Sequence, residues 1–265
     1  MDVFDKEKNI ISYFRDTETE CILLLPENNA ECEAVCNAVL NESEWGKWID
    51  SSAKSALPPD YYCDEKHLMM DVMRVDDHET ISRKGKVVNP LRVRETEMMK
   101  ELKESGILDK FPNATPQVIA RTDLPTEQDH NYGYYLDCFR RTIQKHIKKI
   151  PNYKHNHPDF GVIFFVFDEA SAYFEALEVK QNRRSSDVSQ GYPHYWFLDK
   201  VFMEELIGSE VDYLIWFTPY KHCNMYRDGH KGIIELPTAT IINIKQYNNN
   251  DLIFYNPEKM VSTEV

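Results

Sequence analysis

Two apolar segments of strand length constrain the fold of this chain most strongly. Val162 to Phe167 contains only apolar residues, and Val211 to Phe217 contains a single charged one. Apolar runs of this length are typical of strands that are buried on both faces of a sheet. Together with the helical patterns around them, they predict a mixed α/β (α+β) fold in which helices flank a central mixed sheet.

The second half of the chain contains further periodic segments. Apolar residues recur at helical spacing from Tyr132 to Ile150, and Pro151 is expected to end that helix. Tyr173 to Val179 is predicted to pair with the first apolar run as a hairpin. A helix is predicted from Tyr195 to Ile207, and one or two more strands from Ile233 to Ile244.

The first half of the sequence indicates an N-terminal α/β region, residues 1–112. This region is either a separate domain or part of one domain with residues 113–265. Its predicted strands and helices are Cys21 to Leu25, 29–40, Leu68 to Val75 and Leu91 to Ser105 before Gly106. A further strand, Pro116 to Arg121, is predicted near the boundary between the two regions. Cys32 and Cys36 fall on one face of the second of these segments. Because no further ligand lies nearby in the sequence, core packing is favoured over a metal site.

Length and charge exclude several functional classes. The chain has 265 residues and a net charge of −13, which disfavours unspecific adhesion to nucleic acid or anionic membranes. It lacks a signal-peptide pattern and an apolar run long enough to span a bilayer, so a cytoplasmic protein with reduced cysteines is expected. A phosphate-binding glycine loop, a Rossmann fingerprint and a nucleophile elbow are also missing from the sequence.

One window of the chain is basic. Arg140 to Arg184 contains nine Lys or Arg and five Asp or Glu, whereas the remaining 220 residues contain 22 and 39. A basic stripe on the predicted helix lies in this window, and a nucleic acid or another acidic partner is expected to bind there. The predicted contacts are the stripe itself, Arg140, Arg141, Lys145, Lys148 and Lys149, followed by Arg183 and Arg184. A charged outer helix face without a ligand is the alternative.

The same window contains a nuclease-like spacing. Pro158-Asp159, eighteen intervening residues and Glu178-Val179-Lys180 resemble the PD-(D/E)xK nuclease superfamily, which includes many restriction endonucleases. The resemblance implies that Asp159 and Glu178 bind Mg²⁺ or Mn²⁺ and that Lys180 positions or activates the attacking water. It also implies a core in which a helix and a strand precede the Pro-Asp strand, and a helix and a strand follow the acidic one.

Several alternatives to this motif remain open. In the alternative interpretation, Pro158-Asp159 forms a turn before a buried strand, and Glu178 and Lys180 lie at a solvated strand end. A rival match joins Pro59-Asp60 to Asp71-Val72-Met73, although Met73 replaces the lysine and Arg74 lies on the other face of the strand.

Other polar clusters are candidates for metal binding. Asp168 and Glu169 follow a buried strand, where ligands often sit, and either add metal ligands or form an acidic turn. Asp76-Asp77-His78 and Glu79 either join an acidic site or form a solvated loop. His155-Asn156-His157-Pro158-Asp159 matches part of an HxHxD metal signature, but Phe160 replaces the next expected histidine.

The sequence therefore predicts a metal-dependent phosphodiesterase that acts on DNA or RNA. By analogy with the family, we expect the protein to act in host defence or restriction. We also expect it to act with a protein partner or as a homo-oligomer. The alternative is a noncatalytic adaptor whose basic stripe binds an acidic protein.

Overall fold

A computed structural model describes residues 7–52, 59–78, 80–82, 84–111, 118, 130–177, 191–221, 223–227 and 230–263. Its helices are α1 (Glu7–Arg15), α2 (Ala30–Leu40), α3 (Glu42–Trp45), α4 (Pro90–Glu104), α5 (Tyr132–Ile147), α6 (Ile150–Asn156) and α7 (Lys200–Met203). Its strands are β1 (Ile22–Leu25), β2 (Ile49–Asp50), β3 (Tyr61–Cys63), β4 (Leu68–Val75), β5 (Thr80–Ile81), β6 (Val87–Val88), β7 (Gly161–Asp168), β8 (Tyr173–Ala176), β9 (Gly191–Pro193), β10 (Tyr213–Phe217), β11 (Cys223–Arg227), β12 (His230–Ile234), β13 (Ala239–Asn243) and β14 (Met260–Ser262).

The central sheet has seven strands in the order β1-β13-β10-β7-β4-β3-β2. β4, β7 and β10 run parallel to one another, whereas β13 runs antiparallel to β10 and parallel to β1. β2, β3 and β4 form an antiparallel meander at the other edge. The predicted mixed sheet with flanking helices is confirmed, and strands from both halves of the sequence share it.

Alternate residues of β7 pack on opposite faces of this sheet. Phe164 and Val166 lie in an apolar cluster with Phe139 of α5. Phe165 and Phe167 lie in a second cluster, with side chains of α1 and α2. Each fully buried side chain of this size contributes about 1.5–3 kcal/mol to folding. Burial on both faces explains why this strand is almost entirely apolar.

Asparagine side chains begin three of the longer helices. Asn29, Asn89 and Asn131 each accept a hydrogen bond from a backbone amide in the first turn, at 2.9, 3.0 and 2.8 Å. These caps satisfy amide groups that have no partner within the helix. The third cap begins α5, which packs along β4.

The hairpin predicted between Val162–Phe167 and Tyr173–Val179 is wrong. β7 already has β4 and β10 on its two sides, so the chain after Asp168 leaves the central sheet. β8 pairs instead with β14 and β9 in a separate three-stranded sheet. The compact C-terminal core that the hairpin implied therefore does not form.

Two predicted helices differ from the observed ones. α5 ends at Ile147, and Pro151 lies in the first turn of α6, where a proline removes no intrahelical hydrogen bond. Only Lys200–Met203 of the predicted 195–207 helix is α-helical, after a 3-10 turn at Trp196–Leu198.

The other predicted elements are largely confirmed. The strands at 21–25, 68–75 and 211–217 and the helices at 29–40 and 91–105 agree with β1, β4, β10, α2 and α4 to within about two residues. Cys32 and Cys36 are buried, as core packing predicted. The predicted strand from Pro116 to Arg121 lies, apart from residue 118, outside the described residues. Among the helices that are described, none is both long and apolar enough to cross a membrane.

Candidate functional site

The structure separates two of the predicted metal ligands. Asp159 is exposed in the turn before β7, and Asp168 is the last residue of that strand. The eight residues of β7, roughly 23 Å of strand, lie between them. The expectation that Asp159 and Asp168 bind one metal ion is therefore wrong. Glu178, Lys180, Arg183 and Arg184 lie outside the described residues.

Asp168 belongs to a buried charge network instead. Its Oδ2 accepts hydrogen bonds from Tyr135 and from Trp216 Nε1, the latter at 2.9 Å, and lies 3.4 Å from Lys221 Nζ. Its Oδ1 accepts the Ala170 amide at 2.9 Å. Burial raises the pKa of Asp168, although the Lys221 charge opposes that change. With both oxygens occupied, Asp168 stabilises the core and is not an open metal ligand.

Glu169 points to the other side of β7 and pairs with arginines. Arg74 donates to both carboxylate oxygens, at 2.8 and 2.7 Å, and Arg92 donates to one of them at 3.3 Å. Burial raises the pKa of Glu169, and Arg74 lowers it in part. Glu169, a predicted supplementary metal ligand, is therefore already paired with two guanidinium groups.

The residues of the basic stripe differ in their surroundings. Arg140 donates to Glu205 at 2.9 Å, so part of the stripe pairs within the chain. Lys145 and Lys148 are exposed on α5. The charge of Lys149 contributes to lowering the pKa of Asp71 on the facing strand.

Pro59-Asp60 and Asp71, the rival match, do converge. The antiparallel register that pairs Tyr61 with Met70 places Asp60 opposite Asp71. Asp60 Oδ2 accepts the Val72 amide at 2.8 Å, and the Asp71 carboxylate is near enough to raise the pKa of Asp60. We call Asp60 and Asp71 the carboxyl pair.

The pKa values of the two members of the carboxyl pair are shifted in opposite directions. Burial and the neighbouring carboxylate raise the pKa of Asp60 to about 7. Burial also acts to raise the pKa of Asp71, but hydrogen bonds from His146 and Tyr153 outweigh it and leave that pKa below its ordinary value. Tyr153 donates to Asp71 at 2.8 Å, and His146 contacts the same oxygen.

A cavity of about 270 Å³ is linked to the carboxyl pair through His146, which lines it and contacts Asp71. Its lining also includes Glu7, Met73, Arg74 and Lys145, whereas Asp60 and Asp71 themselves do not line it. Met73 stands where the family motif has a lysine. Lys145 reaches the same cavity from α5, so a cationic side chain is present although the motif lacks one.

A second cluster lies beyond the carboxyl end of β4 and consists of Asp77, His78 and His130. One ligand atom from each residue lies within 4.8 Å of the other two, so this histidine-aspartate cluster could hold a metal ion. Asp77 and His78 are buried, which makes the solvated-loop interpretation of Asp76-Asp77-His78 wrong.

His157 of the partial HxHxD signature packs among rings rather than polar groups. Its ring centroid lies 4.5 Å from that of Tyr62 and 4.7 Å from that of Phe160, while His155 is exposed. The signature therefore does not assemble a metal site.

In comparisons with protein-family models, curated proteins and solved structures, no match to this chain was found. Function must therefore be inferred from the geometry of its own polar clusters.

Proposed function

We propose that this protein is a metal-dependent phosphodiesterase that cleaves DNA or RNA at the carboxyl pair. The observation that carries the proposal is that the register of β3 against β4 places Asp60 opposite Asp71, whose partner His146 lines a cavity together with Lys145. Two acids on one sheet face and a nearby cation are the groups that metal-assisted phosphodiester hydrolysis requires.

The order of secondary structure around the carboxyl pair supports the same function. α3 and β2 precede Pro59-Asp60, β3 follows Asp60, β4 carries Asp71, and α5 and α6 lead into β7, which lies parallel to β4. Apart from β5, β6 and α4, which lie between β4 and α5, this is the order that resemblance to the PD-(D/E)xK superfamily implies. We therefore propose the first meander of the sheet, in place of residues 158–180, as the position of the motif.

The opposed carboxyl groups indicate which ion fits. Two neighbouring carboxylates repel each other when both are ionised, and a cation bound between them would remove that repulsion. Mg²⁺ and Mn²⁺ accept carboxylate oxygen readily, and we propose that one of them binds there. Such an ion would supply charge stabilisation to the phosphorane and a more nucleophilic water.

The remaining residues have distinct proposed roles. His146 and Tyr153 hold Asp71 in place as positioning residues. Lys145 takes the place of the missing motif lysine and binds the scissile phosphate or the attacking water. The exposed ammonium groups of the basic stripe bind the flanking phosphates.

Substitution of the carboxyl pair tests the assignment. Asp60→Asn and Asp71→Asn each keep the side-chain shape but remove a charge, and each should lower Mg²⁺- or Mn²⁺-dependent cleavage about a hundredfold or more. Cleavage is measured on single-stranded DNA, duplex DNA and RNA, and folding is checked by circular dichroism.

Asp159→Asn is the matched control because Asp159 also follows a proline but is exposed. It should cleave at the wild-type rate. Loss of cleavage in Asp159→Asn, Glu178→Gln and Lys180→Ala, with full cleavage by the carboxyl-pair variants, would move the site back to the first motif. Absence of metal-dependent cleavage by the wild type would overturn the proposal.

A noncatalytic adaptor is the second candidate. The Arg140–Glu205 pair shows that the basic stripe engages a carboxylate within this chain. An adaptor would bind an acidic protein through the same face without any cleavage.

A further inference from the structure

We propose that the histidine-aspartate cluster binds a divalent transition-metal ion, with Zn²⁺ the best fit, through Asp77, His78 and His130. This site is distinct from the carboxyl pair. About 13 Å of β4 separates Asp71 from the end of the strand that precedes the cluster. The inference does not depend on nuclease activity.

The distances within the cluster suit a small tetrahedral ion. His78 Nε2 lies 3.5 Å from Asp77 Oδ1, and one ligand atom from each of the three residues lies within 4.8 Å of the other two. His130 Nδ1 lies 3.3 Å from the other oxygen, Asp77 Oδ2, and would exchange that contact for the ion. Ligand atoms bound tetrahedrally at about 2.0–2.1 Å from one ion are about 3.4 Å apart. The three side chains thus need only small movements to share one ion.

A buried oxygen without a hydrogen bond marks the position of the ion. Asp77 is fully buried, and its Oδ1 has no hydrogen-bond partner among the described residues. Leaving a buried carboxylate oxygen unpaired costs about 1–3 kcal/mol or more. A bound cation would satisfy this oxygen directly, whereas His78 Nε2 at 3.5 Å is farther away than in an ordinary hydrogen bond.

The other carboxylate oxygen is held by the surrounding protein. Asp77 Oδ2 accepts the Ser171 amide at 3.0 Å, the Ser171 hydroxyl at 2.8 Å and the Tyr173 hydroxyl at 2.7 Å. Hydrogen bonds to a ligating carboxylate fix its orientation in metal sites. Here they fix Asp77 with Oδ1 turned towards His78.

The ligand types select the class of ion. Imidazole nitrogen is a poor ligand for Mg²⁺ and Ca²⁺, but two imidazoles and one carboxylate suit Zn²⁺ and its neighbours in the first transition series. Three protein ligands also leave a fourth position for water. His78 follows β4 and His130 precedes α5, so the ion would join the start of α5 to the central sheet.

The full-length protein, stripped with a chelator, is titrated with Co²⁺ and then with Zn²⁺. We expect one Co²⁺ per chain with the intense visible absorption of tetrahedral cobalt, displaced by Zn²⁺, and a higher melting temperature with Zn²⁺. His78→Gln and His130→Gln should each weaken binding at least about a hundredfold, since each loses a ligand. His155→Gln, an exposed histidine, should bind as the wild type does.

Asp60→Asn should also retain the cobalt spectrum, which separates this site from the carboxyl pair. If the wild type shows no cobalt spectrum and no melting shift with Zn²⁺, the inference is overturned. Wild-type affinity in both histidine variants would overturn it equally. If one variant fails to fold, the wild-type titration and the other variant still decide the question.

Discussion

At the scale of single residues, His194 makes stability depend on pH. Its Nε2 lies 2.7 Å from Asp199 Oδ2, and Tyr132 donates to the same oxygen. Burial lowers the pKa of His194, although Asp199 opposes that change. The ring is therefore neutral in the folded protein at a pH where the unfolded chain binds a proton.

We expect the free energy of unfolding to fall as the pH decreases below about 6.5, the ordinary histidine value. The contribution of His194 to the free energy of unfolding is complete above that pH. It is lost as the pH falls towards the lower pKa that His194 has in the folded protein. The slope from this group is at most about 1.4 kcal/mol per pH unit. Urea unfolding between pH 7.5 and about 5 measures it. His194→Gln should flatten the slope of unfolding free energy against pH, and the control His155→Gln should not. Equal slopes in the wild type and both variants would contradict the prediction.

The sequence indicated candidate site residues but not their contacts. Pro59-Asp60 and Asp71 carry a recognisable spacing, yet Asp159 and Glu178 carry one that fits the motif better. The placement of Asp60 opposite Asp71 follows from the register of β3 against β4, which depends on the turn between the strands. His130 could not be predicted, because nothing local to it indicates that the fold brings it to Asp77.

At the scale of elements, Gly191 controls how β9 packs on β8. A Cβ atom at this position would lie 2.5 Å from the Glu175 carbonyl oxygen and 2.8 Å from the Phe174 ring. We expect Gly191→Ala to lower the free energy of unfolding by about 1–3 kcal/mol, as overpacking typically does. Gly46→Ala is the control, since its Cβ would lie no closer than 3.5 Å to its neighbours. Similar urea midpoints for both variants would contradict this view of the β8–β9 contact.

Local patterns predicted the existence of the elements and not their pairing. Apolar composition identifies β4, β7 and β10 because these strands are buried on both faces. The partner of a strand depends on chain segments far away in sequence, so the false hairpin between β7 and β8 could not be recognised locally. The end of α5 was misplaced because Pro151 is also acceptable in the first turn of the next helix.

At the scale of the whole molecule, the charge asymmetry is tested through salt dependence. Lys145 and Lys148 are exposed, whereas Arg140 pairs with Glu205 and is best left unchanged. Each phosphate contact contributes about 0.9 to the slope of log affinity against log salt concentration for duplex DNA. The double reversal Lys145→Glu and Lys148→Glu should weaken binding and reduce this slope by about two.

The same charge change at Lys100 and Lys103, two exposed residues of α4, is the control. It should leave the slope unchanged if binding is local to α5. An equal loss in both double variants would indicate a general charge effect. Loss of binding to an acidic protein, with no effect on DNA or RNA, would favour the adaptor.

The position of β1 at the edge of the sheet has a consequence for synthesis of the chain. Ile22, near the start, pairs with Ala239, near the end of the described chain. During translation β1 has no partner until β13 has left the ribosome, and the apolar strands β7 and β10 are made before the sheet can close around them. Contacts between such distant segments fold slowly and leave apolar surface exposed. We therefore expect nascent chains of this protein to keep apolar strand surface exposed until β13 has been made.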